Sequence, residues 1–217
     1  ESWVKSHLTK PGVQTWLELN GKPCIDTSEV MRKKTICTSR SFGEMVGNLD
    51  SLKSAVANFA SSCANKLRGD DSGAKKVTVF LSSNRFREDL EQYGNAASQS
   101  LVTPTSDTME ITQAALRVLA KIYREGIQYK KAGVIVSDIE PLHPFQPDLF
   151  DPIQNRPERA KLMQALDAIN HRYGLKTLRL AVEGEDKQAW KVKCEHRSPN
   201  YLTDINGLMV VGDSTPK

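Results

Sequence analysis

Apolar residues along the chain follow first one rhythm and then another, and each change of rhythm marks a new element. Lys34-Thr35-Ile36-Cys37-Thr38-Ser39 reads as a strand. From Asp50 onward, Leu52, Val56, Phe59, Cys63 and Leu67 recur at helical spacing and trace one face. Asn48 or Asp50 supplies a cap and Gly69 a stop. Lys76-Val77-Thr78-Val79-Phe80-Leu81 has the highest β-propensity in the chain. A polar stretch from Ser82 to Ser98 precedes another strand, near Gln99 to Pro104. A second helix opens at Ser106 or Asp107, carries Ile111, Ala115, Val118 and Ile122 on one face, and ends near Gly126. Ala132-Gly133-Val134-Ile135-Val136 is a buried strand. The order β-α-β-β-α-β predicts an α+β fold: a four-stranded antiparallel sheet with both helices on one face and the other face bare.

The flanks read differently. In residues 1–22, Val13, Trp16 and Leu17 followed by Asn20-Gly21 fit a brief helix. Residues 23–31 are polar and form a linker, and 32–140 form the main domain. Pro141, Pro144, Pro147, Pro152 and Pro157 make 141–156 an irregular, proline-rich connection. Residues 157–217 are a small α+β extension. Its helix starts at Pro157, carries Leu162, Leu166 and Ile169, and ends at Gly174. Two short strands follow, alternating at Leu178, Leu180, Val182 and at Trp190, Val192, Cys194.

Composition adds boundaries. The chain has 217 residues, 39% hydrophobic and 26% charged, which is ordinary for a globular domain. Its longest apolar runs are too short to span a bilayer, so no membrane association is expected. Cys24, Cys37, Cys63 and Cys194 are widely spaced, which favours a reducing compartment. The chain begins at Glu1, and we read it as a fragment of a longer protein.

Catalytic signatures are not found: there is no nucleophile elbow, P-loop, G-x-G-x-x-G or H-E-x-x-H. His7, His143, His171 and His196 stand isolated and read as surface or loop residues. Cys194 and His196 lack the two further ligands of a closed zinc site. Asp70-Asp71 and Glu183-Gly184-Glu185-Asp186 fit turns. No catalytic residue, metal ligand or cofactor is expected in this chain.

The net charge of +4 matters only through its placement. Arg32, Lys33 and Lys34 enter the first strand, and Arg40 leaves it. Arg85 and Arg87 flank Phe86 after the second, and Lys130 and Lys131 enter the last. Such strand-end cations can converge on the bare face and neutralise phosphates, with Thr38 and Ser39 adding hydroxyl and N–H donors. The alternative is that they are simply solvated. Within the proline-rich connection, Phe145-Gln146-Pro147-Asp148-Leu149-Phe150 carries apolar anchors suited to a partner's pocket, or to packing back on its own domain.

Met31-Arg32-Lys33-Lys34-Thr35-Ile36-Cys37-Thr38-Ser39-Arg40-Ser41-Phe42-Gly43 resembles the entry to the little-finger domain of the UmuC branch (ImpB/MucB/SamB type) of Y-family translesion DNA polymerases. The stretch from Gly12-Val13 to Pro23-Cys24 resembles the end of the thumb. Gln146, Pro147, Asp148, Leu149 and Phe150 resemble the sliding-clamp motif, and the helix from Pro157 with Ser198-Pro199-Asn200-Tyr201 resembles the C-terminal extension.

The resemblance implies a little finger that grips the primer–template duplex through Arg32, Lys33, Lys34, Thr38, Ser39, Arg40, Arg85, Arg87, Lys130 and Lys131. It implies a full-length lesion-bypass polymerase of the SOS response, bacterial and cytoplasmic, associated with the nucleoid when active. Its metal-binding carboxylates, and the Mg they hold, belong to a palm domain not represented here. A UmuD-like accessory protein is a further implied partner. Two alternatives stand beside this reading: an adaptor acting mainly through the 145–150 peptide, and a ferredoxin-like ligand-binding domain.

Overall fold

The structure is a computed structural model and describes residues 2–24, 32–142, 151, 153, 155–184, 190 and 191. Residues 1–34 and 35–217 form two separate compact units. The first holds two helices, α1 (Ser2–His7) and α2 (Lys10–Leu19). Pro11 sits in the first turn of α2, where its missing N–H costs nothing, and Gly21 at φ +76° turns the chain away.

In the second unit the order is β1 (Thr35–Val46), α3 (Leu49–Gly69), β2 (Ser72–Ser83), β3 (Gly94–Thr105), α4 (Thr108–Ile122), β4 (Tyr129–Pro141), α5 (Arg156–Tyr173) and a single 3-10 turn, Ala181–Glu183. The four strands form one antiparallel sheet in the order β1-β4-β2-β3, so β2 and β4 are central and β1 and β3 are edges. This is the expected α+β architecture. Each helix connects two parallel strands that a third strand separates, which carries both helices over the same face.

The core lies between that face and the helices. Val77, Val79 and Leu81 on β2, Ala132, Val134 and Val136 on β4, and Ile36 and Phe42 on β1 meet Leu52, Val56, Phe59, Cys63 and Leu67 of α3. Ile111, Ala115, Val118 and Ile122 of α4 complete it. Asn48 caps α3 by accepting the Ser51 N–H at 2.7 Å, and Asp107 caps α4 by accepting the N–H groups of Met109 and Glu110.

Several elements differ from the sequence-based expectation: two helices stand where one was expected in residues 1–22, and β1 runs on from Ser39 to Val46. β3 begins at Gly94, because Asn95-Ala96-Ala97-Ser98, poor in β-formers, is held by pairing with β2. Pro104 is tolerated because β3 is an edge. α4 ends at Ile122, where Tyr123 turns to an extended conformation and its hydroxyl donates to the Gly47 carbonyl. No strand forms at Leu178–Val182; Ala181–Glu183 is a 3-10 turn instead. The Glu183 carbonyl accepts from Ser54 Oγ (2.7 Å) and Asn58 Nδ2 (2.8 Å) of α3, so side chains rather than a partner strand satisfy the backbone. The second expected strand, at Trp190, Val192 and Cys194, extends outside the described residues.

The C-terminal segment is fastened to the helix layer by charged pairs. Arg68 Nε donates to Asp167 at 2.6 Å while its Nη1 donates to the Ser106 carbonyl and Thr108 Oγ1. Arg159 pairs with Asp107 at 2.6 Å, and Arg156 pairs with Asp151 and Glu110. Trp190, almost fully buried, donates its indole N–H to Ser54 Oγ and sets its ring edge-on to Phe59, 5.7 Å between centroids.

Candidate nucleic-acid interface

The helix-free face of the sheet is built by strand register. Residues paired across the four strands form successive rows on it: Thr35, Ser137, Lys76 and Ser100; then Cys37, Ile135, Thr78 and Ser98. The next rows are Ser39, Gly133, Phe80 and Ala96, and then Ser41, Lys131, Ser82 and Gly94. Hydroxyl groups fill half of these positions, two are lysines, and none is a carboxylate. Small side chains leave the backbone close to the surface. Thr78 and Ser98 hydrogen-bond to each other across β2 and β3 at 2.8 Å, and Lys131 Nζ stands 5.9 Å from the centre of the Phe80 ring.

This register separates the residues that the sequence singled out. Ser39 and Lys131 lie on the open face. Thr38 points to the opposite side, where its hydroxyl accepts from Cys63 Sγ and Lys66 Nζ of α3, both at 3.3 Å. Arg40 shares the helix-side row of Ala132 and Leu81 and remains exposed because β1 is an edge. The two faces alternate residue by residue, so neighbours in sequence cannot share one. Lys130 sits where the β4 register slips, and its ammonium donates to the Phe42 carbonyl at 2.6 Å, which stabilises the β1 irregularity.

Arg85 and Arg87 lie on the β2–β3 connection, at the same end of the sheet as Lys131. Gln92 rigidifies this loop by donating to the carbonyls of Asn84, Arg87 and Leu90. Phe86, at its tip, is 95% exposed. Arg87 is engaged in a two-point pair with Asp89 at 2.7 and 2.6 Å, which raises the hold on its proton and keeps the Asp89 carboxyl below the usual range. Arg32, Lys33 and Lys34 are exposed and belong to the first unit. Gln146, Pro147, Asp148, Leu149 and Phe150 lie outside the described residues.

Sequence reasoning missed Lys76, Thr78, Ser98, Ser100 and Ser137. The signal was the alternation within Lys76-Val77-Thr78-Val79-Phe80-Leu81, which sends every second residue away from the core. Burial pushes the Cys63 thiol up, so it is a packed core group rather than a nucleophile. Among the described residues no cluster of His, Cys, Asp and Glu could hold a metal ion. None of their helices is long and apolar enough to cross a membrane.

An α+β domain with an open, hydroxyl-rich sheet face that carries no carboxylate across four rows, and a Lys75–Glu140 ion pair just beyond them, is thus the class that the structure defines. Residues 33–149 match the impB/mucB/samB family C-terminal domain, and 160–211 match a domain of unknown function (DUF4113). The chain is 37% identical over 212 residues to Protein UmuC of Salmonella typhimurium (strain LT2), covering 97% of this chain and 50% of that protein. It is 39% identical over 191 residues to Protein SamB of Salmonella typhimurium (88% and 45%) and 36% over 198 residues to Protein MucB of Escherichia coli (91% and 46%). The chain belongs to the impB/mucB/samB family and spans about half the length of these curated relatives.

Proposed function

We propose that this chain is the duplex-gripping C-terminal part of an error-prone translesion DNA polymerase, noncatalytic by itself. The observation that carries the reading is the open sheet face. A surface with lysines, hydroxyls and near-surface backbone, and without carboxylates across four rows, suits phosphates and repels little of a polyanion. Lys76 and Lys131 lie on the two central strands, three row intervals apart, about 20 Å along the sheet. Each therefore neutralises a different phosphate. Ser39, Ser41, Thr78 and Ser98 add neutral donors that fix register without reading bases, as lesion bypass requires.

In the full-length protein, nucleotidyl transfer with Mg belongs to palm residues beyond this chain. The Gln146-Pro147-Asp148-Leu149-Phe150 peptide docks a sliding clamp, and a UmuD-like accessory protein is a further partner. The working location is the bacterial nucleoid.

The test is a titration of primer–template duplex with the wild type and with Lys76→Gln combined with Lys131→Gln. Loss of two phosphate contacts makes the slope of log K against log[salt] shallower by about 1.8. An unchanged slope and affinity contradict the assignment of this face.

A further inference from the structure

The β2–β3 connection projects past the last row of the open face, the row of Ser41, Lys131, Ser82 and Gly94, and its backbone is tied down along its length. At its base the Ser83 N–H donates to the Tyr93 carbonyl at 2.8 Å, and the Tyr93 N–H donates to Ser83 Oγ at 2.9 Å. Beyond this, the Arg87 N–H donates to the Asn84 carbonyl and the Leu90 N–H to the Arg87 carbonyl, closing two successive turns. The Phe86 N–H donates to Asn84 Oδ1 at 3.1 Å, and the Gln92 amide joins both turns through their carbonyls. Phe86 sits in the first of these turns with its side chain in water, more exposed than any other large hydrophobic residue among those described. A ring presented on a backbone held in this way loses little conformational freedom when it meets a partner.

Charge does not account for the loop. Arg85 and Arg87 are offset by Glu88, Asp89 and Glu91, and Arg87 is already paired with Asp89. What the loop offers is an apolar π face. Phe86 lies four residues beyond Ser82, so its Cα stands within about 14 Å of the open-face row that holds Lys131. Bases inside a duplex are stacked on both sides and closed to a side chain. An aromatic ring beside a duplex therefore stacks on a base that is unpaired.

We infer that Phe86 is a stacking platform for an unpaired base, by which the β2–β3 loop engages the single strand where it joins the duplex held on the open face. This rests on the reading of the open face as a duplex grip. Every base has a π face, so the contact is tolerant of sequence, as the neutral hydroxyl donors of the sheet are.

The experiment titrates the whole chain with a labelled primer–template duplex carrying a single-stranded overhang, at several salt concentrations. Phe86→Ala is expected to weaken binding about fivefold or more. The slope of log K against log[salt] stays at the wild-type value, because no phosphate contact is lost. Phe86→Trp retains wild-type affinity, whereas Phe86→Leu, which keeps apolar bulk without a π face, does not. Overhang DNA carrying 5-iodouracil beside the junction crosslinks to Phe86 on irradiation, and peptide mass spectrometry locates the bond. Wild-type affinity in Phe86→Ala overturns the proposal. So does full affinity in Phe86→Leu, since the ring would then fill an apolar pocket rather than stack. A crosslink at Phe86 together with binding indifferent to salt would keep the role of the ring and contradict the open-face reading alone.

Discussion

Gly133 and Phe80 face each other across β4 and β2, and the Phe80 ring lies over the glycine. A Cβ built on Gly133 would stand 2.5 Å from Cε1 of that ring and 2.5 Å from Cβ of Ser39. The missing side chain thus leaves room for the tip of an aromatic ring on the open face beside Lys131. Gly133→Ala is expected to displace Phe80 and cost about 2 kcal/mol, as overpacking does. Thermal or urea unfolding measures it. In a Phe80→Ala background the cost should fall by at least half, since much of the clash has gone. Equal costs in both backgrounds would mean that the ring does not depend on the glycine.

Asp89 holds Arg87 in a two-point pair on the exposed β2–β3 loop, which masks a cation near the proposed duplex grip. Asp89→Asn should release Arg87 and strengthen duplex binding. The slope of log K against log[salt] should steepen by about 0.9, the value of one added phosphate contact. Loop-directed binding that ignores this change would place Arg87 outside the interface.

Two buried carboxyls predict opposite responses to pH. Burial pushes Asp107 up, but Arg159 and the N–H groups of Glu110 and Met109 outweigh it and hold the carboxyl below its ordinary range. Its folded-state pKa is lowered, so its stabilisation is complete above about pH 4 and is lost as the pH falls through the lowered value. Asp107→Ala should cost about 2 kcal/mol at neutral pH, combining a lost helix cap with an orphaned Arg159.

Glu183 behaves in the reverse sense. Burial raises it, and the Leu180 N–H, the Ser61 hydroxyl, Lys176 and Arg179 do not compensate fully. Its charged form therefore opposes folding once the pH exceeds the unfolded value near about 4.3. Glu183→Gln should be more stable than the wild type at pH 7, and the difference should vanish below about pH 4. Denaturant midpoints at the two pH values decide it.

How much of this was legible depended on the kind of signal. The α3 face from Leu52 to Leu67 and its Asn48 cap could be read from spacing, because burial and capping act within one element. The strand order and the open-face rows could not, because register is set between elements. Thr35-Ile36-Cys37-Thr38-Ser39-Arg40-Ser41 has small or polar residues on both sides, so its alternation does not say which side faces the helices. Ser39 and Lys131 were found through their neighbours, whereas Lys76 and Ser98 were overlooked as ordinary strand residues. Leu178, Leu180 and Val182 alternate like a strand, but the Ser54 and Asn58 side chains of α3 capture the Glu183 carbonyl and favour a 3-10 turn. That contact spans more than a hundred residues and leaves no local trace.

The most direct test of the central claim is fluorescence anisotropy of this chain with a labelled primer–template duplex at three salt concentrations. Neutralisation of four to six phosphates predicts tight binding at low salt and a slope of roughly −4 to −5. Binding that is absent at low salt, or indifferent to salt, would contradict the account of the open face as a duplex grip.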